Sequence, residues 1–500
     1  MRVKSVLLGL ACVAAVTMKA EEAFELVSPE SQGVSSEAIR QWVMDEQSLV
    51  RSLHSFVLLR HGKLIASGAA APYELDRPHQ LYSHSKSFTS TAIGFLVDDG
   101  KLDIDQPLIE IFPEKFPANP HPHIASLRVR DLLTMSTGFK RGDAMRRDPN
   151  EKDWLKLFFA SEPDVAPGTR FSYDTCATHV LAAVVEKLSG KPLEAFLKER
   201  LCKPLGFGEF YSHNAPNGIA CGGYGMYART EDLAKFGQLY LQKGVWNGQR
   251  ILSADWVEQA TAKQQNNAPA WSIDWASGYG FQFWRCSHNA FRADGSHGQF
   301  TVVMPDQDMV LSMTACTEDM GTQLSLVWEK LLPGVKDAPL PENPEALSAL
   351  RVMTKRMRIL PVKCPRMMPP RIQEFGVDFA PNKRGYKRID IRVLENGAWE
   401  GTLQMEGLPP QKFKIGFGQW EKGMIRVVPD EVNYEVIGEL IGSQPIAASG
   451  AWRSMETYHL RILFLDQAHR LELMINPVNG KVTAEGRHIG LGGCDLKEAQ

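Results

Sequence analysis

Residues 88–97, Phe-Thr-Ser-Thr-Ala-Ile-Gly-Phe-Leu-Val, set apolar side chains at Phe88, Ala92, Phe95 and Leu96. The i, i+4, i+7/i+8 spacing predicts a helix, with Asp98-Asp99-Gly100 closing it and Gly100 suited to the residue past its end. Ser83 falls at the opposite end, where serine is a favoured N-cap. Residues three apart share a helix face, so Lys86 can reach back to the Ser83 hydroxyl. A serine alcohol becomes a nucleophile when a nearby base of adjusted pKa takes its proton. The helix end adds N–H groups and partial positive charge where an oxyanion can form.

The chain has 500 residues, more than one ordinary domain, which predicts two folded units. A hydrophobic fraction of 44% and a charged fraction of 23% are ordinary for a globular protein. A net charge of −2 gives no electrostatic footprint for nucleic acid or an anionic membrane. The expected partner is therefore a small molecule or a short peptide.

Arg2 and Lys4 precede the apolar run Ser5–Val16, and Ala20 stands before Glu21-Glu22. The run is too short for a stable membrane span and reads as an export signal cleaved near Ala20, for a periplasmic or secreted protein. Met18 is larger than the residue usual two places before such a cleavage. A lipoprotein signal on Cys12 fits poorly, because Gly9 stands where leucine is usual. The remaining cysteines, Cys176, Cys202, Cys221, Cys286, Cys316, Cys364 and Cys494, contain no C-x-x-C pair and are odd in number. They read as buried free thiols rather than a disulfide framework or zinc site. His121-Pro-His123 reads as a surface loop, and no metal ligands are assigned.

Phe56–Arg60, His61-Gly62-Lys63 and Leu64–Ala66 predict strand, turn and strand. Val180, Val184 and Leu188 followed by Gly190 predict a helix, which leaves Tyr173 on a loop at its start. Leu233, Phe236, Leu239 and Tyr240 predict another helix that Gly237 does not break. Gly278–Trp284 begins a sheet region, Phe300–Met304 and Met309–Met313 flank a hairpin, and Leu324–Leu332 predict a last helix. The Pro- and Gly-rich stretch from Pro333 to Pro344 is a linker by composition. From about 372 the pattern turns to strands, as in Arg388–Val393 and Tyr458–Phe464, and predicts a small sandwich or barrel. The expected division is a signal peptide over 1–20, a catalytic domain over 21–333, a linker over 334–371 and a β-rich domain over 372–500.

The block Ser83-His84-Ser85-Lys86-Ser87-Phe88, with Leu102-Asp103-Ile104-Asp105-Gln106-Pro107-Leu108 behind it, resembles the penicillin-recognising serine hydrolases, whose nucleophile motif is Ser-x-x-Lys. The resemblance is to the class C β-lactamase-like branch that includes esterases and 6-aminohexanoate-dimer hydrolases. It covers roughly residues 27–333. Val129–Gly138 matches a short helix beside that family's active site. Pro167-Gly-Thr-Arg-Phe-Ser-Tyr173-Asp-Thr175 is similar to the second motif, Tyr-x-Asn, with Thr175 in place of asparagine. Ser296-His297-Gly298 stands where the family has Lys-Thr-Gly or His-x-Gly.

The resemblance implies an α+β fold: an antiparallel sheet with flanking helices beside a helical lobe. It implies an acyl-enzyme on Ser83, with Lys86 and Tyr173 sharing the proton work and the lysine charge favouring phenolate character in Tyr173. Which of the two is the base stays open. The oxyanion donors would be the N–H groups of Ser83 and Gln299. Thr175, Ser296, His297 and Gly298 would line the substrate, and no cofactor is required. Ser296 carries no charge for a substrate carboxylate, although Arg292 or Arg285 could supply one. An esterase or amidase on a small uncharged acyl group is therefore favoured. β-Lactamase or D-alanyl peptidase activity, and a non-hydrolytic ligand-binding module, stay open.

Overall fold

The computed structural model describes residues 24–50, 53–140, 151–363, 365, 372–427, 442–478, 481–490 and 494–499. The expected signal segment and Cys364 lie outside the described residues, as does part of the expected linker.

A six-stranded antiparallel sheet forms the centre of the first domain. Its strands are β1 (Leu53–Arg60), β2 (Lys63–Ala69), β3 (Trp284–Arg285), β4 (Phe291–Gly295), β5 (Gln299–Met304) and β6 (Met309–Ala315), in the order β2-β1-β6-β5-β4-β3. The first and last stretches that form this sheet meet inside it, where β1 pairs with β6. Alternation along each strand builds two cores. Val57 and Leu59 face one side with Val303 and Val310, while Phe56 and Leu58 face the other with Phe300, Val302, Leu311 and Met313.

Helix α1 (Ser36–Asp45), capped by the Ser35 hydroxyl, brings Ile39, Trp42 and Val43 to the second face. The segment expected as the last helix covers the same face, with Leu324, Leu326, Val327 and Leu331. Against the first face lie α2 (Ser85–Asp98), α3 (Thr175–Ser189) and α4 (Thr230–Leu241). At Gly237 of α4 a Cβ would stand 2.6 Å from Val310 Cγ1 and 2.7 Å from Thr301 Cγ2. The glycine that weakens the helix locally is what lets it lie on the sheet.

The stretch read as linker is partly ordered into the first domain. Residues Pro344–Lys355 form a helix, α5, with Pro344 in its first turn and Asn343 Oδ1 accepting from the Ala346 N–H at 3.0 Å. Its Leu350 is buried beside α1 and β2.

Ten strands follow in meander order, in sheets β7–β10 (Glu374–Asp378, Tyr386–Val393, Trp399–Met405, Gln411–Ile415) and β11–β16 (Glu421–Arg426, Ser443–Trp452, Tyr458–Phe464, Arg470–Val478, Lys481–Ile489, Cys494–Lys497). The two sheets close on each other. On one seam Ala380 N–H donates to Lys497 O and Ala499 N–H to Asp378 O, and on the other Gly450 N–H donates to Gly416 O. Inward-facing Ile389, Leu403, Leu460 and Leu473 fill this barrel. Its Leu465–His469 turn touches the first domain: Gln80 N–H donates to Asp466 O at 2.7 Å, and Gln467 Nε2 donates to Tyr227 Oη at 2.9 Å.

Candidate active site

Helix α2 is buried from Ser85 to Leu96, although half of those residues are polar. A buried hydroxyl needs a partner, and three find a carbonyl across the packing interface: Ser87 at Gln282 O, Ser90 at Phe281 O and Thr89 at Gly222 O; Thr91 bonds Ser87 O of its own helix and Tyr240 Oη, and Ser85 Oγ accepts from the Met226 N–H. Those contacts explain why residues 281–283, expected to begin the sheet, run irregularly until Trp284. Phe88 stacks on Phe236 of α4 with ring centroids 4.3 Å apart. The helix is thus a fixed post.

Ser83 does not cap it. It lies in a single 3-10 turn, Tyr82–His84, that runs into α2. Ser83 is half-buried, while the residues on both sides of it are buried. Tyr82 takes a left-handed backbone, φ 50°, and such a conformation in a bulky residue requires firm surroundings. Lys86 Nζ donates to Ser83 Oγ at 3.0 Å, to Thr175 Oγ1 at 3.1 Å and to Gly223 O at 2.8 Å. Gly223 O can approach because a Cβ there would meet Thr175 Cγ2 at 2.8 Å.

Tyr173 precedes α3, whose N-cap is Asp174, with Oδ1 accepting from the Cys176 N–H at 2.9 Å. The Tyr173 phenol lies close enough to the Ser83 side chain for that hydroxyl to act on its ionisation, and the Lys86 ammonium lies 4.9 Å from the Tyr173 ring centroid. The tyrosine ring stacks on Trp284. Thr175, expected beside the substrate, spends its Oγ1 on Lys86 instead.

The third predicted segment lies beside the same turn. A Cβ on Gly295 would stand 2.1 Å from Leu81 O and 3.2 Å from His84 N, so the β4–β5 hairpin is against residues 81–84. His297 (φ 63°) and Gly298 (φ 89°) form its bend with Ser296. The His297 ring turns toward Tyr82 and its Nδ1 bonds Thr317 O at 3.0 Å. Gln299 opens β5, with its side-chain amide tied to Ser296 O and Ala315 O, each at 2.9 Å.

Electrostatics assign the protons. Burial draws the Lys86 pKa down to about 7, against the opposing pull of Asp174. Burial likewise raises Asp174 to about 6. The Tyr173 phenol is pushed well above its ordinary value, because burial outweighs the opposing influence of the Ser83 hydroxyl. The phenolate expected from the lysine charge is therefore disfavoured, and the lysine amine is the group poised near neutrality.

A cleft of about 600 Å³ opens beside Tyr173, walled by Phe171, Trp271, Trp275 and Trp284. Arg170, exposed at its rim, is the only charged lining residue among the described residues. Neither arginine expected to compensate for Ser296 is available. Arg292 is buried, with Nε 2.8 Å from Asp294 Oδ2 and Nη1 2.6 Å from Asp274 O. Arg285 donates to Asn289 Oδ1 and Thr261 O.

Comparison with known proteins places the chain in a family. The Beta-lactamase family model matches residues 51–323. The 6-aminohexanoate-dimer hydrolase of Paenarthrobacter ureafaciens is 27% identical over 305 residues, 56% of this chain and 76% of that protein. An esterase of Burkholderia gladioli is 27% identical over 194 residues, 34% of this chain and 49% of its own length. Among solved structures, the hydrolase EstCE1 superposes with a TM-score of 0.50 and 17% identity, covering 60% of this chain and 98% of its own. The barrel lies beyond the family match. With more than half of its length matched, including the segments that carry Ser83, Lys86 and Tyr173, the chain belongs to the Beta-lactamase family of serine hydrolases.

Proposed function

We propose that the protein is an exported hydrolase that cleaves a small ester or amide through an acyl-enzyme on Ser83. The observation that carries this reading is the convergence of Lys86 and Tyr173 on one hydroxyl at the end of a buried helix. Neutral Lys86 takes the Ser83 proton as Oγ bonds the substrate carbonyl carbon. The oxygen of the tetrahedral adduct accepts from the Ser83 and Gln299 N–H groups, with Ser296, His297 and Gly298 as the adjoining wall. When the carbonyl re-forms, the leaving alcohol or amine takes a proton from Tyr173, and Lys86 returns its own to Tyr173. Water then attacks the ester on Ser83, passes a proton through the same pair to Oγ, and releases the acid.

The aromatic cleft and the commitment of Arg292 and Arg285 favour an uncharged acyl group. The names of the relatives, an amide hydrolase and an esterase, support both bond types. Export rests on Arg2, Lys4 and the run to Ala20. Arg170 favours a second reading, in which a substrate carboxylate is held at the rim, as a β-lactam or D-alanyl peptide would require.

The deciding experiment is hydrolysis of p-nitrophenyl butyrate by the mature protein and by Ser83→Ala, with nitrocefin alongside. Ester turnover lost in Ser83→Ala and little nitrocefin cleavage are expected. Turnover that survives the substitution would remove the mechanism, and nitrocefin cleaved as well as the ester would transfer the assignment to β-lactams.

A further inference from the structure

A cavity of about 520 Å³ opens between the two domains and shares no lining residue with the cleft beside Tyr173. Three arginines converge on it from separate segments: Arg358 after α5, Arg461 on β13 and Arg470 at the start of β14. One carboxylate faces them, Glu472, and it is already engaged. It accepts from Arg461 Nε and from His459 Nε2, each at 2.6 Å. Arg470 Nε stands 3.9 Å from Glu472, beyond hydrogen-bond distance.

Two buried donors in this wall lack an acceptor among the described residues, Arg470 Nε and the Tyr73 hydroxyl. Tyr73 is only 5% exposed. Tyr73, His54 and Arg470 all line the cavity, and the Arg470 charge is felt at both rings. His54 adds no positive charge there: it is buried, and its Nδ1 bonds His79 Nε2 at 3.0 Å. A buried donor with nothing to donate to is costly in any fold, and an acceptor seated between these two would relieve both. Leu53, Ile359 and Leu463 add apolar lining. A volume of this size suits a small ligand.

We infer that the interdomain cavity binds a small organic anion. Its acid group accepts from Arg470 and Tyr73, a short apolar body lies along Leu53, Ile359 and Leu463, and Arg358 screens the mouth. None of these residues takes part in the acyl-enzyme reaction, so the inference stands or falls separately from the proposed activity.

Isothermal titration of the full-length protein tests it, with hexanoate, neutral hexanamide and inorganic phosphate as probes. Hexanoate is expected to bind one to one, with hexanamide weaker by about tenfold or more, the scale of one lost charge-assisted contact, and phosphate weaker by about tenfold or more because it has no apolar body to bury. Arg470→Gln should weaken hexanoate by a similar factor, and Tyr73→Phe and Arg358→Gln by about threefold each. Hexanamide or phosphate binding as tightly as hexanoate would overturn the inference, as would no binding of hexanoate. Affinity unchanged in Arg470→Gln would also overturn it, because the ligand would then occupy another place such as the Tyr173 cleft. Should Arg470→Gln fail to fold, unchanged affinity in both Tyr73→Phe and the exposed-site variant Arg358→Gln overturns it equally.

Discussion

Lys86 Nζ lies 3.0 Å from Ser83 Oγ, in a site whose burial draws its pKa down to about 7. An ordinary lysine would be protonated throughout the neutral range and could not accept the serine proton. For this one, kcat/KM is expected to fall about tenfold per unit below pH 7 and to level off above it. Lys86→Arg keeps the charge but cannot become neutral, so it should be as inactive as Lys86→Met. The same shift has a stability consequence. Between about pH 7 and the unfolded value of 10.5, the unfolded chain binds the proton that the folded chain has released, so Lys86 makes stability rise with pH across that window. Below it the buried ammonium keeps its full desolvation cost. Thermal unfolding should therefore show Lys86→Met gaining more over the wild type at pH 6 than at pH 9.

Thr175 tests whether a hydrogen-bond acceptor also sets that pKa. Its Oγ1 accepts from the ammonium and so stabilises the charged form. Thr175→Val removes the acceptor at nearly constant volume. The acid limb of the pH–rate profile should move to lower pH by up to about one unit. An unmoved limb would mean that burial and Gly223 O set the value without it.

Tyr173 has the opposite assignment. Burial holds its phenol protonated, which suits a proton donor to the leaving group. Tyr173→Phe preserves the stacking on Trp284 and deletes only the hydroxyl. The expected result is a loss of about 10²–10⁴ in kcat with KM little changed. A KM effect alone would make Tyr173 a binding residue.

Arg170 separates the two substrate readings. It is exposed at the cleft rim, where a substitution is expected to cost little stability. Arg170→Gln should leave p-nitrophenyl butyrate turnover within about twofold, because surface changes of this kind are usually small. If a carboxylate-bearing substrate is the natural one, its KM should rise about tenfold or more in the same variant.

The legible parts of this molecule are those written in short windows. The i, i+3 relation of Ser83 and Lys86, the 299–304/309–315 hairpin and the start of α3 at Tyr173-Asp174-Thr175 each depend on neighbours a few residues apart. What the sequence concealed lies in long-range pairing. Gly223 O meets Lys86 across 137 positions, and only the folded chain shows that Thr175 serves the lysine. Periodicity cannot reveal that Asp294 and Asp274 O occupy Arg292, one of the two arginines that could have supplied the charge Ser296 lacks. Helix α5 was hidden by the prolines before it, although Asn343-Pro344 followed by Leu347, Leu350 and Met353 is a helix start with an apolar stripe.

The longest-range of these contacts joins the barrel to the nucleophile. The Ala468 N–H donates to Tyr82 Oη at 3.2 Å across 386 positions, and Tyr82 packs with Cys316 and Ala468. Tyr82 is also the residue held at φ 50° immediately before Ser83. A left-handed backbone costs a non-glycine residue roughly 1–2 kcal/mol, and the barrel turn supplies part of what holds it there. Tyr82→Phe keeps the ring but strands a buried N–H, which costs about 1–3 kcal/mol. The variant should melt several degrees lower and lose kcat several-fold, because the turn that aims Ser83 is no longer anchored. Arg487→Ala, which removes an exposed interdomain pair with Glu318, is the control and should change stability by less than about 1 kcal/mol. If Tyr82→Phe matches that control in both melting temperature and kcat, the barrel braces the domain without positioning its nucleophile.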